Sequence, residues 1–136
     1  MDYIEEGVMM IRNGDFGELN GIEYEVFEND DNTIDIATKD PDAIKRGFNK
    51  YQGQDVYYKT INPRELEKFY RIYTKGKIGH EIVNVFREKE DIVLIGTNDA
   101  RIAKDLGIGR TDKYYYEKWV LKNEVEIFEE RKEIKH

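Results

Sequence analysis

The 136-residue chain contains no cysteine and no serine. Disulfides, thiolate metal sites and serine or cysteine nucleophiles are excluded with them. Histidine is almost as scarce. His80 and His136 are the only two, and a side chain on a terminal residue is rarely held in a fixed geometry. A histidine general base would have to be His80 alone, without the orienting partner such a base needs. There are two prolines, Pro41 and Pro63, and no Pro-, Gly- or Ser-rich stretch that would read as a linker. No apolar run approaches the roughly 20 residues of a membrane-spanning helix. Asp2, Glu5 and Glu6 stand where a signal peptide would be positive, so the expected location is the cytoplasm.

What the chain has in excess is acid. Its 29 Asp and Glu against 22 Lys and Arg give a formal charge of −7, which disfavours general nucleic-acid affinity and suits a basic partner. The carboxylates form no spaced metal motif: Asp30, Asp31 and Asn32 lack the glycine and terminal Glu of a calcium loop. No metal, cofactor or catalytic residue is expected, and the chain is read as a binding protein and not an enzyme.

Sliding the sequence against itself by 59 positions brings two halves into register. Gly17 meets Gly76, Val26-Phe27 meet Val85-Phe86, Ile36 meets Ile95, and Thr38, Asp40 and Lys45 meet Thr97, Asp99 and Lys104. Tyr57, Lys59, Glu65, Glu67 and Phe69 then meet Tyr116, Lys118, Glu124, Glu126 and Phe128, making twelve identities where about four are expected from ordinary residue frequencies. The repeats run from about 15 to 75 and from about 76 to 134, within one domain spanning 1–136.

Each copy reads alike. Ile22, Tyr24 and Val26 alternate with Glu23 and Glu25, a strand with one apolar face; Asn29 to Asn32 make a turn, and Ile34 and Ile36 flank Asp35 on the return strand. Asp40-Pro41 starts a helix of about two turns that Gly47 ends. Val56 to Ile61 is rich in strand formers, and Glu65 to Tyr73 is ambiguous. In the second copy the strands fall at Ile82–Phe86 and Ile92–Ile95, and a helix runs from Asp99 to Gly107. The unbroken apolar run 92–95 suggests a strand covered on both faces. The expected fold is α+β: two diverged β-β-α-β repeats packed as one domain, with a mixed or mainly antiparallel sheet, helices on one side, and a helical segment at Tyr3–Ile11.

Several constellations have plain structural readings. Asp40 and Asp99 read as helix caps, and Glu65/Glu67 with Glu124/Glu126 as solvated faces. The glycine loop Gly107–Thr111 follows a helix where nucleotide motifs follow a strand, and Lys113 is misplaced for a phosphate loop. Tyr114, Tyr115, Tyr116 and Trp119 are more suggestive, since tyrosine and tryptophan anchor interfaces.

The Thr-x-Asp helix starts (Thr38–Asp40, Thr97–Asp99), the Leu106–Ile108 helix end and the run Tyr116–Val120 with Glu124 and Val125 resemble small duplicated proteins of Gram-positive bacteria. These are the immunity proteins encoded beside polymorphic secreted toxins. The resemblance implies a cytoplasmic protein that binds and blocks a cognate toxin, often a nuclease, by protein–protein contact. A face including Asp30, Asp31, Tyr114, Glu117, Trp119, Glu129 and Glu130 is the expected partner-binding surface, acidic and aromatic enough for a basic cleft. Two alternatives stay open: a phage or mobile-element protein that sequesters a host factor, and a metal-dependent hydrolase acting through carboxylates.

Overall fold

A computed structural model describes residues 11–111 and 115–135. The helix expected at Tyr3–Ile11 lies, apart from Ile11, outside the described residues. The chain parts into two compact units: a first unit of Gly14–Ile72 with 131–135, and a second of 11–13 with Tyr73–Glu130.

The first unit holds β1 (Gly14–Leu19), β2 (Ile22–Glu28), β3 (Ile34–Thr38), the two-residue β4 (Asn49–Lys50), β5 (Tyr57–Ile61) and the start of β6 (Lys68–Ile78). Successive strands pair antiparallel from β1 to β2 to β3 to β5, and the start of β6 returns to pair with β1. The second unit takes the end of β6, then β7 (Glu81–Lys89), β8 (Ile92–Thr97), α1 (Ala100–Leu106), β9 (Tyr116–Leu121) and β10 (Glu126–Glu133) as far as Glu130, the last residues of β10 belonging to the first unit. It pairs β6 to β7 to β8 to β9, with β10 on β6. Elements 59 positions apart thus take the same place in each unit.

Each unit has its own core, built by the side of the strands that alternation turns inward. Tyr24, Val26, Ile34, Ile36, Tyr57, Ile61 and Phe69 close the first, with Ala43 and Phe48 from the connection between β3 and β5. Val83, Val85, Val93, Ile95 and Val125 close the second, with Ala103 and Ile108. The helix signals act as the sequence indicates. Asp40 accepts from Asp42 N at 3.0 Å, and Asp99 accepts from Arg101 N at 2.8 Å; Gly47 and Gly107 end their segments in the left-handed conformation.

The α+β expectation is overturned. Among the described residues strand makes up 54% and helix of all kinds 16%, the strands forming a ten-stranded, mostly antiparallel sheet beside one α-helix. The reason is length. Asp40 and Gly47 leave room for a six-residue 3-10 segment, Pro41–Arg46, and Asp99 and Gly107 for the seven residues of α1; neither can form a layer over a sheet. Meanwhile the ambiguous stretch from Glu65 becomes a 3-10 turn followed by the eleven-residue β6. Strand β1 goes unannounced because Gly14, Asp15 and Gly17 are poor strand formers.

Candidate functional site

With the apolar side of each strand committed to a core, the outward side is what a partner can meet. In the first unit that side is acidic. Glu18 of β1 lies directly opposite Glu23 of β2, Phe16 opposite Glu25, and Phe27 opposite Asp35 of β3. Glu23 and Glu25 are exposed and Phe27 is 51% exposed. Two carboxylates facing each other across a ladder repel, which costs stability and is retained here. Part of that cost is offset by Lys68 on the far side of β1, 4.0 Å from Glu18, and Glu23 accepts a short hydrogen bond from the Tyr70 hydroxyl. Burial and this carboxylate together push the Tyr70 phenol well above its ordinary value. The Arg131 guanidinium covers the ring at 3.8 Å. At the end of β2, the Asp31 carboxylate accepts from Thr33 Oγ1 and, at 3.1 Å, from Thr33 N, and these bonds hold it below the usual carboxylate range. The β2–β3 turn therefore carries a fixed negative charge beside Asp30.

The same side of the second unit is aromatic and cationic. Arg87, Leu94 and Trp119 stand in one cross-strand row. A register shift at Phe86 brings Arg87 opposite Leu94. From there its guanidinium reaches over Leu94 to lie 5.9 Å from the Trp119 ring centroid, leaving Leu94 buried and Trp119 40% exposed. In the next row Gly96 has no Cβ; one built there would come within 2.7 Å of the Tyr115 ring and 2.8 Å of Phe86. The absence lets those rings meet over the strand at 5.7 Å between centroids. Lys75 Nζ donates to Asn84 Oδ1 at 2.8 Å, and Asn84 Nδ2 donates to the Tyr115 hydroxyl at 3.0 Å. Burial raises the Tyr115 phenol, against the Asn84 bond and with a smaller push from Glu117.

The chemistry-bearing candidates resolve into structural parts. Glu65 closes a capping box with Asn62, and Glu67 accepts from Asn20 N at 2.9 Å to fasten the β1–β2 turn. His80 sits in the exposed β6–β7 turn. Gly107 is a helix stop and Arg110 a bridge to Tyr116; Lys113 lies outside the described residues. Among the described residues no group of three or more His, Cys, Asp or Glu is placed to hold a metal ion, and no helix is long and apolar enough to cross a membrane.

A family described as the uncharacterised conserved protein UCP033725 matches residues 11–136. The chain belongs to this family. No curated protein and no solved structure matches it. The match takes in both units, so the acidic and the cationic faces alike fall within the family's span.

The residues expected to bind a partner are divided between the units. Asp30 and Asp31 belong to the β2–β3 turn of the first. Glu117 and Trp119 share the outward side of β9 in the second, where Tyr116 and Val120 pack inward. Glu129 and Glu130 are neighbours on β10, and Glu129 is held by Arg12 through two bonds of 3.0 Å. Tyr114 lies outside the described residues. The acidic set Glu18, Glu23, Glu25 and Asp35 with Phe27 was missed. Its signal was present, since the alternation that turns Tyr24 and Val26 inward turns Glu23, Glu25 and Phe27 out.

Proposed function

We propose that this chain is a non-enzymatic binding protein of the immunity type, which neutralises a toxin with a basic surface, such as a nuclease, through the outward face of its first unit. The observation that carries the reading is the Glu18–Glu23 apposition beside exposed Glu25 and Phe27. A face that keeps like charges opposed, with Lys68 beside Glu18 and the Tyr70 hydroxyl on Glu23 offsetting only part of the repulsion, gives up some stability for a charge density that a basic partner can use. Phe27 supplies an apolar anchor inside an acidic rim, the arrangement that gives an interface both a hot spot and electrostatic steering. Asp30 and the fixed carboxylate of Asp31 extend the negative field at one end of β2. A nuclease cleft shaped for phosphates is the complementary surface, and blocking it needs no chemistry from the inhibitor. Such a protein acts in the cytoplasm of the cell that makes the toxin.

Co-expression with the toxin encoded by the neighbouring gene tests this. Growth should be rescued by the wild-type chain and a complex recovered, while Glu25→Lys with Phe27→Ala should lose both. A chain that neither rescues growth nor forms a complex ends the proposal.

A further inference from the structure

The two units share one strand plan but carry opposite charge on the same side of it. Residues 59 positions apart make this explicit. Glu18 stands where Lys77 stands, and Phe16 where Lys75 stands. The carboxylates Glu23, Glu25 and Asp35 have no acidic counterpart, their places being taken by Ile82, Asn84 and Leu94. Arg87 and Lys89 add further positive charge to the second unit's outward face, against Glu117 of β9 and the exposed Glu126 and Glu130 that alternate with inward Ile127 on β10. The exposed apolar groups differ in kind too: Phe27 on the acidic face, Ile82 and Trp119 on the cationic one.

Two faces of equal strand spacing and opposite sign are mutually complementary. We infer that a second copy of this chain is the occupant of the cationic face: the Glu23, Glu25 and Phe27 side of one molecule docks on the Lys77, Arg87 and Trp119 side of another. Adjacent strands carry the charged groups on both surfaces, so carboxylates meet ammonium and guanidinium groups while Phe27 meets the Trp119 row that the register shift at Phe86 completes. Such a contact joins unlike surfaces, so each copy offers one donor and one acceptor face. The overall charge of −7 opposes approach at long range, but within a Debye length of about 10 Å the local patches decide the sign. Self-association is therefore weak, reversible and sensitive to salt. It also covers the acidic face, so a basic partner and a second copy compete for it. The inference does not depend on toxin binding, because a second copy reads only charges this chain carries.

Sedimentation velocity on the full chain tests it. The wild type should sediment faster as concentration rises at about 0.15 M salt, and this should vanish near 1 M. Lys77→Gln with Arg87→Gln, and separately Glu23→Gln with Glu25→Gln, should each remain monomeric where the wild type associates. Mixed together they should form a one-to-one dimer, because one retains its acidic face and the other its cationic face; formation of that dimer also shows that both variants are folded. A wild type that stays monomeric at every concentration overturns the inference without touching the toxin reading. So do variants that still self-associate, or a mixture that stays monomeric while the wild type associates, since another contact or another partner would then own the face.

Discussion

Gly17 lies against Leu66 so closely that a Cβ on it would fall 2.8 Å from Leu66 Cδ1 and 2.9 Å from the Lys68 carbonyl oxygen. Fifty-nine positions on, Gly76 stands in the same relation to Val125, whose Cγ1 a Cβ would overlap, with Val85 Cγ2 at 3.0 Å. In each unit the residue after the 3-10 turn that precedes the last strand fills the place a side chain on the first strand would take. Gly17→Ala and Gly76→Ala should each destabilise by about 1–3 kcal/mol through overpacking. Urea denaturation measures this. In the second unit the contact is with a side-chain methyl, so Val125→Ala should recover part of the Gly76→Ala loss, a coupling that a double-mutant cycle reads directly.

The helix stops and starts were legible because each is local. Asp40, Pro41 and Gly47 act within a few residues of themselves, as do Asp99 and Gly107. The fold class was not legible, because it depends on which segments pair at long range. Gly17 looks like a strand breaker in sequence, yet it is demanded by Leu66, 49 residues away. The long β6 was hidden for a similar reason: its two halves serve different neighbours, β1 through Lys68–Ile72 and β7 through Lys75–Ile78. Of the site, the turn acids and Trp119 were visible as residue types. The acidic face appears only when the outward members of β1, β2 and β3 are put in register.

Removing a cap should show how much the short segments matter. Asp99 accepts from two backbone donors, at 2.8 Å from Arg101 N and 3.3 Å from Ile102 N, whereas Asp40 accepts from Asp42 N alone. Asp99→Ala should cost about 1 kcal/mol, and Asp40→Ala less, in thermal melts followed by circular dichroism. With Arg46→Ala as the background, which removes the 3.7 Å ion pair between Arg46 and Asp40, equal losses would mean that the second bond adds nothing.

Tyr70 sets the behaviour at high pH. Its unfolded phenol ionises near 10.0, and burial with the Glu23 bond raises the folded value above that. The neutral phenol thus contributes its full stability below pH 10.0 and loses it as the pH climbs through the folded value. The urea midpoint of the wild type should therefore fall more steeply above about pH 10 than that of Tyr70→Phe. Absorbance at alkaline pH should show one fewer late-titrating phenol in the variant. Parallel curves would place Tyr70 in water.

Arg87 over Trp119 predicts an optical signature, since Trp119 is the only tryptophan. Arg87→Ala should expose its ring and shift fluorescence emission to the red, with a stability loss within about 0.5 kcal/mol because the site is on the surface. An unchanged spectrum would mean that the guanidinium does not cover the ring.

The most direct measurement is a calorimetric titration of the proposed toxin partner, the product of the neighbouring gene, into the wild type and two surface variants. Glu25→Lys with Phe27→Ala should weaken the dissociation constant at least about tenfold, whereas Lys77→Glu with Arg87→Glu, on the other unit, should leave it unchanged or tighten it. Full affinity in the first variant, or an equal loss in the second, would contradict the assignment of partner binding to the acidic face.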